Sequence, residues 1–151
     1  MTAKEIVQRH LRAVEAGEWE AALALIGADY RMSGTIPFPI NLFVKIRRPE
    51  ALRMHMARKR ALPDFRFNEQ VLRENDECVE LQIALTGAHT GVLDYTGLLR
   101  GIPVIGPTGR QVALPPEFFT YWVRDGLIVR THGRIPKNAG VQALVRAVTT
   151  D

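Results

Sequence analysis

The stretch QVALPPEFFTYWVRDGLIVRTH, residues 111–132, decides the fold class. From Gln111 to Arg124 it is rich in aromatic and β-branched residues and predicts a strand. Asp125-Gly126 is the two-residue signal of a tight hairpin, and Leu127 to His132 returns antiparallel. Along the first arm Leu114, Phe118 and Trp122 share one parity, while Phe119, Tyr121 and Val123 share the other, so both faces are apolar. One face is expected to cover a pocket or helix. The other calls for a partner, and a homodimer through the sheet accounts for it.

Upstream, Cys78 to Ala88 predicts another strand, preceded by strand-like Phe65, Phe67, Val71 and Leu72 and a turn at Glu74 to Glu77. Before Pro63 the period is helical. Thr2 and Glu5 are spaced as a capping box, and Ile6, Val7, His10, Leu11 and Val14 follow along one side until Gly17. A second amphipathic helix is expected to begin near Glu18 and to place Trp19, Ala22, Leu23 and Ile26 on its buried stripe before Gly27, followed by a short strand from Asp29 to Met32. Pro49 suits the first turn of a third helix reaching about Leu62, with Leu52, His55, Met56 and Lys59 in one row. Asn138 can cap a closing helix whose Val141, Leu144, Val145 and Val148 form an apolar stripe.

Between the second and third helices, Ser33 to Arg47 contains Pro37 and Pro39, yet also Ile36, Phe38, Ile40, Leu42, Phe43, Val44 and Ile46. A solvated connector should not carry so much apolar surface. The segment reads either as a loop, short strand or helix packed on the core, or as a lid over a cavity. Helices followed by an antiparallel meander make an α+β domain over residues 1–151, with helices packed on one face of a curved, mostly antiparallel sheet.

A chain of 151 residues can bury a sizeable core without covalent staples. Cys78 is its only cysteine and reads as a small buried hydrophobe. No apolar run approaches bilayer length, and Met1 to Ala16 carries charges where a signal peptide needs an apolar centre, so no membrane association and a cytoplasmic location are expected. The formal charge of +4 is concentrated in Arg47, Arg48, Arg53, Arg58, Lys59 and Arg60. No zinc-ligand spacing, RNA-binding aromatic motif or helix-turn-helix accompanies them, so they read as a solvated helix face and no nucleic-acid partner is expected. Walker, dinucleotide and nucleophile-elbow motifs are also missing from the sequence. The four histidines lack short ligand spacing, so no metal site is expected.

This element order, together with His89-Thr90-Gly91, Gly101-Ile102-Pro103, Pro107-Thr108-Gly109-Arg110 and Asp125-Gly126, resembles the SnoaL-like polyketide cyclase family of the nuclear-transport-factor-2-like superfamily. The resemblance implies a cone-shaped fold around a deep apolar cavity, a dimer, no metal or organic cofactor, and acid/base catalysis of an intramolecular aldol reaction. It also implies an acid/base aspartate three positions before the glycine that opens the last helix. With Gly140 as that glycine, Lys137 stands in its place. The stretch from Gly91 to Pro107 is longer than the family's, adding Asp94, Tyr95 and Arg100.

Parity places His89 with Leu81, Ile83 and Leu85, so it is expected to point inward, as an acid/base or as a satisfied structural histidine. Glu117 shares parity with Phe119, Tyr121 and Val123 and is a second acid/base candidate, or else an exposed edge-strand residue after Pro115-Pro116. His132 lies near the end of the last strand, on the face of Ile128 and Arg130, and could supply the proton transfer of the missing aspartate. His10 and His55 sit in apolar helix rows overlooking the expected cavity, where either orients a ligand or fills space. Tyr30 and Tyr121 could donate to a developing oxyanion, and Phe119 would line the same space. The expected function is proton transfer on an apolar carbonyl compound; the alternative is a non-catalytic binder of a small apolar molecule.

Overall fold

The computed structural model describes residues 1–37 and 41–150. Thr2 caps α1 (Ala3–Ala16) with the reciprocal bonds its spacing predicts: the Glu5 N–H reaches Thr2 Oγ1, and the Thr2 N–H reaches the Glu5 carboxylate at 2.8 Å. Gly17 ends the helix at φ 73°, a conformation that favours glycine. The second helix, α2 (Trp19–Ala24), is shorter than the sequence suggests. Of its expected stripe only Ala22 is buried within the helix, because Ile26 already belongs to β1 (Ile26–Pro37).

The Ser33–Arg47 segment forms most of a β-hairpin. β1 runs antiparallel to β2 (Asn41–Arg47), from Arg31 opposite Arg47 to Pro37 opposite Asn41. Phe38, Pro39 and Ile40 lie outside the described residues, as do the side chains of Ile36, Leu42, Phe43, Val44 and Ile46, on which the lid reading rested. The third helix, α3 (Arg48–Ala61), follows directly. Its inward row differs from the expected one: Ala51 is buried and His55 and Arg58 are half-buried against the interior, while Met56 is exposed. Spacings of four and three residues make that row as helical as the predicted one, so the guanidinium hid it.

The main sheet has the order β2-β1-β8-β7-β4-β3 and includes β3 (Gln70–Glu74), β4 (Cys78–Ile83), β7 (Glu117–Arg124) and β8 (Leu127–Arg134). All its pairings are antiparallel except β1 with β8. The sheet does not close on itself. Asp125 and Gly126 both adopt positive φ, 51° and 76°, as the tight hairpin between β7 and β8 demands. α4 (Gly140–Thr149) closes the chain, with Ala139 rather than Asn138 at the N-cap position and no side-chain cap.

Two expected long strands are each broken in two. Cys78–Ala88 becomes β4 and β5 (Thr86–Ala88), and Gln111–Arg124 becomes β6 (Gln111–Ala113) and β7. Pro115 and Pro116 have no N–H to give the ladder, so the β4–β7 pairing stops at Ile83 opposite Glu117. The chain then bends, and β5 pairs with β6 as a separate two-stranded sheet.

Helices α1 and α3 cover the inner face of the main sheet, where Val79, Leu81, Tyr121, Val123 and Ile128 join Val7, Leu11 and Val14 in the core. The outer face has its own cover. The Arg130 guanidinium lies 4.7 Å from the Trp122 ring centroid and Arg134 lies 4.3 Å from Phe118, each directly opposite in register. Cys78, opposite Trp122, is half-buried rather than a core residue.

Gly91 fastens the segment after β5 to the end of α3. Its N–H donates to the Ala61 carbonyl at 3.1 Å, and a Cβ here would overlap the Arg60 carbonyl oxygen, which is backbone and has little freedom to retreat. Gly91→Ala is therefore expected to destabilise the protein by about 2 kcal/mol or more. Gly106→Ala, whose Cβ meets open space, should change stability by less than about 0.5 kcal/mol. Urea unfolding of both variants checks this, and equal midpoints would refute it.

Candidate functional site

The inner face of the sheet and the two covering helices form a narrow cavity of about 60 Å³, partly open to solvent. At about 30 Å³ per water, that is room for roughly two. α1 contributes His10; α3 contributes Ala51, His55 and Arg58; β7 contributes Glu117, Phe119 and Tyr121. Tyr30 and Met32 from β1 and Ile128 and Thr131 from β8 complete the polar and apolar wall, with Phe67, Ile83 and Leu85 beneath. Six of the eight residues singled out from sequence thus meet in one place.

The two cavity histidines have assignable tautomers. His10 is 3% exposed, and its Nδ1 lies 3.0 Å from the Ala22 carbonyl oxygen, which can only accept. Nδ1 therefore carries the proton and Nε2 a lone pair. His55 is the reverse: its Nδ1 lies 2.8 Å from Arg58 Nη1, which can only donate, so the His55 proton resides on Nε2. The rings meet edge to face, with centroids 6.2 Å apart, and His55 stands edge-on to Phe67. Burial lowers the His10 pKa to about 4 against the raising effect of the Ala22 carbonyl. Burial, with help from Arg58 and His10, holds His55 well below the ordinary imidazole range.

Glu117 is not on an edge, since β7 lies between β4 and β8. It is half-buried and lines the cavity. Burial raises its pKa, opposed by the Arg58 charge and by the Gly140 N–H that donates to the carboxyl at the N-terminus of α4. Burial also raises the hydroxyl pKa of Tyr30 to about 12, with Thr131 opposing, and raises that of Tyr121. Both phenols remain donors at neutral pH. Phe119 lies across Gly133, where a side chain would strike its ring.

Arg58 is the residue that sequence reasoning missed. It belongs to the basic run of α3 that reads as solvated, but its guanidinium lines the cavity beside His55, 5.8 Å from the Phe65 centroid and 5.7 Å from that of Phe67. Its spacing from Ala51 and His55 on one helical face was the available signal. Tyr95, from the long segment after Gly91, is 2% exposed and feels both Arg58 and Glu117.

Two candidates lie elsewhere. His89 is fully buried, as parity predicts, and burial lowers its pKa, but it does not line the cavity. The break after Ile83 carries it into the second sheet, where strand parity no longer refers to the same chamber. Its Nδ1 sits 2.8 Å from Thr108 Oγ1 and accepts the Thr108 N–H at 3.3 Å, while its carbonyl accepts the Gly109 N–H at 2.8 Å. These contacts brace the Pro107–Gly109 turn. His132 lies on the outer face, paired in register with Ser33 and Thr120, and its Nδ1 is 3.0 Å from Ser33 Oγ. An extra residue at Val129, where the β7–β8 register shifts, reverses the parity that related His132 to Ile128. Lys137 is exposed.

Among the described residues no group of three or more His, Cys, Asp or Glu side chains could hold a metal ion, and no helix is long and apolar enough to cross a membrane. The cavity offers instead a carboxyl that can exchange a proton, a cation, and neutral donors and acceptors within apolar walls.

Comparison with known proteins agrees with this architecture. The family profile described as a SnoaL-like domain matches residues 7–131. No curated protein matches the sequence. A candidate polyketide cyclase from Xanthomonas campestris pv. campestris has 20% identity, covering 97% of this chain and 96% of its own, with a TM-score of 0.65. AclR, a candidate hydroxylase from Streptomyces galilaeus, has 15% identity over 96% of this chain and 79% of its own, with a TM-score of 0.69. An LEH-like epoxide hydrolase from M. tuberculosis has 14% identity over 95% and 89%, with a TM-score of 0.58. At these identities the likeness shows the fold.

The buried histidines make stability depend on pH. Because the His10 pKa falls on folding, the unfolded chain binds the proton first as pH drops below about 6.5, and stability is lost between there and about pH 4. His10→Gln should reduce the stability lost between pH 7 and pH 4.5 by about 2 kcal/mol, read as the difference between urea-unfolding curves at the two pH values. An unchanged pH dependence would contradict the buried neutral assignment.

Proposed function

Since the chain belongs to the SnoaL-like domain family, we propose that its cavity transfers protons on a small carbonyl compound, with Glu117 as the acid/base. The carrying observation is the Glu117 carboxyl, facing a low-dielectric chamber with Arg58 near it and the Gly140 N–H on it. Burial weakens its acidity while the two positive groups keep ionisation within reach, which suits a group that must take up and return a proton near neutral pH. As carboxylate, Glu117 removes the proton from carbon adjacent to the substrate carbonyl. The electron pair moves onto the carbonyl oxygen, which the His55 Nε2–H or a tyrosine hydroxyl stabilises. Return of the proton to carbon or oxygen completes an isomerisation; attack of the enolate carbon on a second carbonyl, with Glu117 passing its proton to the alkoxide so formed, completes a ring closure.

The fold itself does not choose the reaction, because similar structures bear the names cyclase, hydroxylase and epoxide hydrolase. A non-catalytic small-molecule binder is the second reading, favoured by Lys137 where the family resemblance implies an aspartate. Exchange of substrate carbon-bound hydrogen in D2O, followed by NMR on small ketones, separates the two. Glu117→Gln should slow exchange at least about 100-fold while the protein stays folded, the scale expected for an acid/base group. Wild-type protein that binds a ketone yet never accelerates its exchange would establish the binder instead.

A second copy is the proposed partner of the sheet's outer face, supported by the half-exposed Phe118 and Trp122 beneath their arginines. Sedimentation should give twice the chain mass, with Trp122→Glu reverting to one; a monomeric wild-type protein would remove the proposal.

A further inference from the structure

Arg58 stands out among the cavity's groups because it brings a full charge without an ion-pair partner. Among the described residues it takes part in no salt bridge, although Arg12, Arg60, Arg66 and Arg73 all do. One of its N–H groups is satisfied by His55 Nδ1, and Phe65 and Phe67 offer ring faces to the guanidinium. Neither interaction neutralises charge. A guanidinium is a rigid fork of donors that matches a carboxylate with two parallel hydrogen bonds. The remaining wall adds neutral groups at neutral pH: His10 and His55 are held unprotonated, and Tyr30 and Tyr121 are held as phenols. Glu117 approaches Arg58 closely enough to feel its charge but forms no ion pair with it.

We propose that the substrate is a short carbonyl compound bearing a carboxylate, which Arg58 anchors while Glu117 works on the carbon beside the ketone. This rests on the proton-transfer reading above and narrows its substrate class from apolar ketones to keto acids. The size of the chamber points the same way, since about 60 Å³ admits few carbon atoms without outward movement of its walls. A small anion gains more from a half-buried cation held among apolar walls than from the little apolar surface it can bury. Arg58 also has fixed support: Lys59, the next residue, donates to the Glu15 carbonyl at 2.6 Å and to that of Pro63, tying this end of α3 to α1.

The test compares acetoacetate with acetoacetamide, which have nearly the same shape, differ in charge, and share an acidic CH2. Calorimetric titration of the wild-type protein should show acetoacetate binding at least tenfold more tightly. Arg58→Gln should abolish that preference, and Arg58→Lys should keep part of it. Equal affinity for the two compounds in wild-type protein overturns the anion anchor without reference to any variant, so a misfolded Arg58→Gln does not obscure the result. A preference that survives in a folded Arg58→Gln overturns it as well. Exchange of the CH2 hydrogens in D2O is read separately. Accelerated exchange with equal binding leaves Glu117's role standing and removes Arg58's, whereas preferential binding of acetoacetate without exchange leaves the anchor and removes the proton transfer.

Discussion

Pro115 and Pro116 impose the constraint on which the arrangement of this protein depends. Neither can donate to a ladder, so the pairing that begins at Cys78 opposite Trp122 must end at Ile83 opposite Glu117. The residues opposite the prolines find other partners: the Ala84 N–H donates to Phe67 O at 3.0 Å, and Leu85 O accepts the Leu114 N–H at 2.8 Å. Backbone polar groups are thus satisfied through the bend, as buried groups must be. The consequence is chemical as well as topological. Glu117, immediately after the prolines, opens the strand that faces the cavity, while His89, beyond the same bend, is buried beside the second sheet.

Much of the fold was legible because local signals and long-range packing agree. The capping box at Thr2 and Glu5, the Asp125-Gly126 reversal and the alternating burial from Val79 to His89 each occur as the residues predict. The site was legible where the period is unbroken, as for His10, His55 and the odd-numbered side of β7. It failed where the sheet or the period was interrupted. Burial parity holds through to His89, but the change of sheet at the Pro115-Pro116 bend takes it away from the cavity, whereas one extra residue at Val129 reverses His132 with no glycine or proline to mark it. Arg58 was missed for another reason. Charge marks a helix position as solvated in sequence, yet a long side chain can turn its head inward when the neighbouring helix and strands supply partners.

Family membership and the cavity inform different levels of description. The profile match accounts for helices laid across an open, curved sheet, with β1 and β8 parallel. It does not account for which side chains occupy the space between, because structures with 14% to 20% identity share the same frame. The local arrangement is read from this chain alone: two neutral imidazoles of opposite tautomer, a guanidinium beside one of them, and a carboxyl at the first N–H of α4. Such an arrangement has direction, with donors and acceptors fixed before any ligand arrives, which lowers the reorganisation a reaction would require.

The volume of the chamber bears on time as much as on space. A hollow this narrow is partly open to solvent, so a guest of more than a few atoms is seated only when the surrounding wall moves outward. The frequency of such an excursion then sets a ceiling on how often a larger guest is accommodated.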